Sequence, residues 1–133
     1  MPRPKAVHPT PAELEVLKIL WDLGPLTVRD VQEEFQERDK ERAYTSVMSL
    51  LNVMADKGLL SRTRQGRAFL YAARLPREKT LARMVGDLWQ GAFEGSASSL
   101  VTHSLDQASP GEQELGAIRK VIEAYESEQE DRP

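Results

Sequence analysis

The sequence predicts a mainly α-helical fold interrupted once by a small β-hairpin and followed by a second helical segment. Three observations carry this. Apolar residues recur at helical spacing in six stretches, whereas strand-like alternation flanks only Gln65-Gly66-Arg67. Helix-start signals precede several of the helical stretches, and Gly or Pro punctuates their ends. The 133 residues are 40% hydrophobic and 29% charged, an ordinary globular composition.

Helix 1 is expected near 11–22. Thr10 can cap it, Pro11 suits its first position, and Glu13 can reach back as in a capping box. Leu14, Leu17, Leu20 and Trp21 supply its stripe, and Gly24-Pro25 stops it. Thr27 with Asp30 repeats the start signal for helix 2, near 28–37, whose stripe is Val28, Val31 and Phe35. A charged turn, Asp39 to Arg42, leads to helix 3 at roughly 43–57, ended by Gly58 in a left-handed conformation. Val47, Leu50, Leu51 and Met54 face a core; Thr45, Ser49, Asn52 and Asp56 lie on the opposite face. Leu59 to Arg64 and Ala68 to Ala73 form the hairpin, and Tyr44 and Tyr71 read as packing residues. After Pro76 comes a helix bearing Leu81, Met84, Val85, Leu88 and Trp89, then a short helix near 97–107. The last helix is expected to start with Ser109 as cap and Pro110 in its first turn, and to end in a frayed charged tail from Glu126.

Several function classes are excluded or disfavoured. With no cysteine there are no disulfides, thiolate metal sites or cysteine nucleophiles, which fits a reducing cytoplasm. No apolar run approaches the roughly 20 residues of a membrane helix, and Met1 to Thr10 has no apolar signal region. There is no Gly-rich phosphate loop, no acid/base pair and no nucleophile elbow, so an enzyme is not expected. His103 has only His8 for company and reads as a packing or surface residue; no metal or other cofactor is expected.

The net charge of −3 hides a strong asymmetry. Residues 1–56 carry −3, residues 57–83 carry +7, and residues 84–133 carry −7. Phosphate binding depends on local cations, not on total charge. Three helices followed by a hairpin with a basic tip describe a winged helix-turn-helix, whose second helix of the pair enters the major groove. The short polar side chains of helix 3 suit base edges, and Asn suits a bidentate contact with adenine. The DNA-contacting set is therefore Thr45, Ser46, Met48, Ser49, Asn52 and Val53 from helix 3, with Arg62, Arg64, Gln65 and Arg67 from the wing. Helix 3 taken alone reads more readily as a solvated amphipathic face, and winged helices also serve as protein-interaction modules.

The expected organisation is a DNA-binding domain over 1–75 and a helical dimerisation domain over 76–133. The latter is too short to bury its apolar stripes alone. Leu81, Met84, Val85, Leu88, Trp89, Leu100, Leu115, Ile118 and Ile122 would pair with a second copy, giving a two-fold reader of a palindrome. The alternative packs these stripes onto the winged helix of the same chain.

The segments Ala43-Tyr44-Thr45-Ser46-Val47-Met48-Ser49, Leu51-Asn52 and Asp56-Lys57-Gly58-Leu59-Leu60 resemble the penicillinase-repressor family, of the BlaI/MecI/CopY type. So do Thr10 to Val16 and Ile19-Leu20-Trp21, Gly66-Arg67-Ala68 with Tyr71, and Ser98 to Val101; the resemblance spans about residues 9–125. It implies a bacterial homodimeric repressor bound to double-stranded operator DNA. In the antibiotic-resistance branch it further implies a membrane sensor-protease system that triggers a cut in the dimerisation helices, which aligns with His103 and Ser104. That branch carries Asn-Phe at the cut, and arginines where this chain has Met48 and Val53. The cysteine ligands of the copper branch are absent here.

Overall fold

A computed structural model describes residues 8–132. The elements run α1 (Pro11–Leu23), α2 (Val28–Glu37), α3 (Tyr44–Asp56), β1 (Leu60–Gln65), β2 (Ala68–Ala73), α4 (Arg77–Gly91), α5 (Ala97–Ala108) and α6 (Glu112–Glu130). The chain divides into two compact units, one ending at Val85 and the next beginning at Gly86. The observed boundary lies inside α4, because the chain leading into that helix belongs to the first unit: the Trp21 indole N–H donates to the Leu75 carbonyl at 3.0 Å, and Thr80 is buried.

In the first unit, two capping boxes set where the helices begin. Thr10 and Glu13 exchange hydrogen bonds at the start of α1, and Thr27 and Asp30 do the same for α2. A cap of this kind contributes about 1 kcal/mol. The stripes they launch meet in one core of Val16, Leu17, Ile19 and Leu20 from α1, Val28, Val31 and Phe35 from α2, Val47, Leu51 and Met54 from α3, and Leu60 and Tyr71 from the hairpin. Each such side chain gains about 1.5–3 kcal/mol on burial. Val16 and Ile19 are fully buried although only Leu14, Leu17, Leu20 and Trp21 were expected to form the α1 stripe. The helix is covered on a wider arc than one stripe, because α2, α3 and β2 all pack on it.

The turn from α2 to α3 is held on both sides. Gln32 donates from Nε2 to the Arg42 carbonyl, and the Arg42 guanidinium sits 5.2 Å from the Phe35 ring centroid. The hairpin is antiparallel, with Arg62 opposite Tyr71, Arg64 opposite Phe69, and Gln65 opposite Ala68. Its two-residue loop is Gly66-Arg67, with φ +63° at Gly66. A positive φ at the first loop position is the turn whose twist matches the strands, and it favours glycine. Leu26, between α1 and α2, pairs with the hairpin in a single antiparallel bridge, exchanging both backbone hydrogen bonds with Tyr71.

The second unit differs from the first: among the described residues, nothing in α5 or α6 is buried. Ser109 does not cap α6. It ends α5 in the left-handed conformation with φ +44°, and Gly111 takes the N-cap position of α6. The Ser-Pro-Gly run thus serves the end of one helix before the start of the next. The charged tail expected to fray from Glu126 remains helical to Glu130. Among the described residues, no helix is long and apolar enough to cross a membrane.

Candidate nucleic-acid interface

The first unit places the exposed face of α3 beside the hairpin. Val47, Leu51 and Met54, flanked by Leu50 and Ala55, fix α3 to the core, so its opposite side is free to present side chains. Thr45, Ser46, Met48, Ser49 and Val53 are all exposed, and Asn52 is half-buried against the hairpin. The end of α3 is held by charge. Lys57, next after the helix, donates from Nζ to Glu13 Oε2 at 2.9 Å, and Glu13 Oε1 accepts from the Thr10 backbone at 2.9 Å. The Glu13 side chain is only 2% exposed. Burial pushes its carboxyl up, but the Thr10 backbone N–H, the Lys57 ammonium and the Thr10 hydroxyl outweigh that and hold it below its ordinary value.

One face of the hairpin is organised around Phe69. The Arg62 and Arg64 guanidinium carbons lie 5.6 and 6.0 Å from its ring centroid, a cation–π arrangement that spaces two charges along the strand. Arg62 also donates from Nη1 to Asn52 Oδ1 at 2.8 Å, and the Tyr71 hydroxyl donates to the same oxygen at 2.8 Å. Arg64 donates from Nε to the Gly66 carbonyl, which leaves its terminal nitrogens at the tip, where Gln65 and Arg67 are exposed as well.

An open cleft of about 460 Å³ separates helix from wing. Thr27, Val28 and Arg29, the first turn of α2, form one side; Tyr44, Met48 and Asn52 of α3 the second; and Arg67, Ala68, Phe69 and Tyr71 of the wing the third. Arg29 lines the α2 side and Arg67 the wing side, and the apolar side chains of Met48 and Phe69 complete the lining.

The structure thus brings together every residue expected from α3 and the wing within one unit. Tyr71 is buried, as a packing residue must be. Tyr44 is not: it is 42% exposed and lines the cleft. Its place on the first turn of α3, at the spacing of Met48, is the signal for this. Thr27 and Arg29 also line the cleft, which the sequence does not indicate, because a helix start reads as a cap and only packing shows which surface it joins.

Of the expected dimerisation residues, Val85, Leu88 and Ile122 are exposed, while Leu81, Met84, Trp89, Leu100, Leu115 and Ile118 are partly covered. Val121 was missed although it is 68% exposed. The His103 ring packs against Phe93 at a tilt of 55°, with centroids 5.2 Å apart. His103 and Ser104 lie mid-way along α5, with Ser104 Oγ donating to the Leu100 carbonyl at 2.7 Å. A protease acting at this bond must first unwind the helix. Among the described residues, no cluster of three or more His, Cys, Asp or Glu forms a metal site.

Residues 9–124 match the penicillinase repressor family. The chain is 32% identical over 123 residues to the transcriptional regulator BlaI of Mycobacterium tuberculosis, covering 91% of this chain and 87% of that one. It is 21% identical over 116 residues to the penicillinase repressor of Bacillus licheniformis, covering 87% and 90%. A solution structure of the DNA binding domain of the repressor BlaI matches with a TM-score of 0.47 at 23% identity, covering 58% of this chain and 90% of that one. The chain belongs to the penicillinase repressor family, whose members are transcriptional repressors and not enzymes.

Proposed function

We propose that the chain represses transcription as a homodimer bound to a palindromic operator, with α3 in the major groove and the wing on the sugar–phosphate backbone. The observation that carries this is that one unit presents the exposed Thr45, Ser46 and Ser49 of α3 and, beside them, a cleft in which Tyr44, Met48 and Asn52 of the same helix meet Arg67 and Phe69 of the wing. Hydroxyls can donate to or accept from base edges, Met48 and Val53 can meet thymine methyls, and the arginines neutralise phosphate. Dimerisation is supported by the apolar groups that the second half of the chain leaves uncovered, Leu88, Val101, Val121, Ile122 and Tyr125 among them. A soluble chain rarely leaves such surface to water unless another surface covers it.

The test is a salt titration of the purified protein on the promoter fragment upstream of its own gene, beside a scrambled duplex of equal length. Preferential binding that weakens steeply with salt is the expected result. Equal or absent binding would return the winged helix to the class of protein-interaction modules.

A further inference from the structure

Asn52 sits where α3 meets the hairpin, and its carbonyl oxygen is fully engaged. Oδ1 accepts from Arg62 Nη1 and from the Tyr71 hydroxyl, both at 2.8 Å. An amide oxygen offers two lone pairs, and here both are used. The orientation of the carboxamide follows from chemistry: a guanidinium only donates, so the atom facing Arg62 is the oxygen. Both donors are themselves anchored. Tyr71 is 2% exposed, lies opposite Arg62 in the hairpin, and is bonded through its backbone to Leu26. Arg62 rests on the Phe69 ring.

We propose that Asn52 is a positioning residue that locks the wing to α3 and sets the angle at which the arginine tip meets DNA, and that it does not itself discriminate adenine. A bidentate adenine contact needs the Asn oxygen to accept from the base while its amino group donates. With the oxygen occupied, only the amino group is left, and it can meet any acceptor, a phosphate oxygen included. Releasing the oxygen would strand the buried Tyr71 hydroxyl, the costly outcome for a buried donor. The proposal rests on the reading of α3 and the wing as the DNA-binding surface, and its two measurements separate the lock from that reading.

Both measurements use the full chain with Asn52→Ala, Asn52→Asp and Tyr71→Phe. The first is backbone hydrogen exchange without DNA. Tyr71→Phe, which loses one hydrogen bond, is expected to speed exchange in the hairpin by roughly tenfold, and Asn52→Ala, which loses two, by at least as much. Exchange in α1 should stay unchanged. Asn52→Asp, whose carboxylate accepts both bonds, should keep the parent protection. Unchanged hairpin exchange in Asn52→Ala overturns the lock whether or not the chain binds DNA. The second is affinity for the promoter fragment and the scrambled duplex. Asn52→Ala and Tyr71→Phe are expected to weaken both by the same factor, roughly three- to tenfold. The ratio between the two duplexes should stay within about twofold. Asn52→Ala weakening the promoter fragment alone, with Tyr71→Phe binding like the parent, overturns the proposal. A parent that binds neither duplex defeats the DNA reading and leaves the exchange measurement to decide the lock.

Discussion

Glu13 serves two elements at once. It closes the capping box of α1 and receives the ammonium of Lys57 behind α3, so one carboxylate holds the far end of α3 to the start of the chain's first helix. Its folded carboxyl titrates below the ordinary 4.5, so its contribution is fully present above that value and is lost as pH falls through the lower, folded one. The melting temperature of the parent should therefore fall more steeply below about pH 4.5 than that of Glu13→Gln, which has no carboxylate to protonate. Melting curves at several pH values check this, and parallel slopes would remove Glu13 from the acid response. Gly58, with φ +85°, ends α3 in the left-handed region. Gly58→Ala has open space for its Cβ but the wrong backbone preference, and should cost about 1–2 kcal/mol in urea unfolding.

At the scale of elements, helix and wing are expected to divide the labour of binding. Arg64→Ala or Arg67→Ala should weaken binding to every duplex alike and lower the slope of log affinity against log salt by about one each. An unchanged slope would place these arginines away from phosphate. On α3, Ser49→Ala is expected to narrow the gap between promoter fragment and scrambled duplex, because a hydroxyl at a base edge carries sequence information. Competition binding reads the gap. A uniform loss on both duplexes would make Ser49 a backbone contact instead.

At the scale of the whole molecule, the uneven burial of the two units decides what can be expected. The first has a closed core of three helices and a hairpin; the second leaves its helices without a buried residue among those described. Ile122→Glu, at an exposed apolar position of α6, should shift the chain toward monomer in sedimentation velocity while leaving the hydrogen-exchange protection of the first unit intact. A dimer of unchanged strength would move the interface off this face. The charge asymmetry belongs to this scale too. Neutralising Glu123, Glu126 and Glu130 should raise affinity for the scrambled duplex if the acidic half restrains non-specific binding, and no change would sink that idea.

The order and nature of the elements were legible in the sequence, because they follow from local chemistry. Thr10 with Glu13 and Thr27 with Asp30 mark helix starts through hydrogen bonds that span three residues, and Gly66 marks the hairpin turn through its φ. The stripe Val47, Leu51 and Met54 foretells which face of α3 is buried, and so which face is free. What local chemistry could not decide is which distant groups share a surface. Ser109-Pro110-Gly111 carries the signals for both an ending and a beginning, and only the packed chain assigns Ser109 to α5 and Gly111 to α6. The pairing of Leu26 with Tyr71, the salt link from Lys57 to Glu13, and the cleft that joins Arg29 to Arg67 all span dozens of residues. The same holds for Asn52. Its place on the polar face of α3 is local, but that its oxygen is held by Arg62 and Tyr71 depends on how the hairpin folds back, which side-chain packing alone determines.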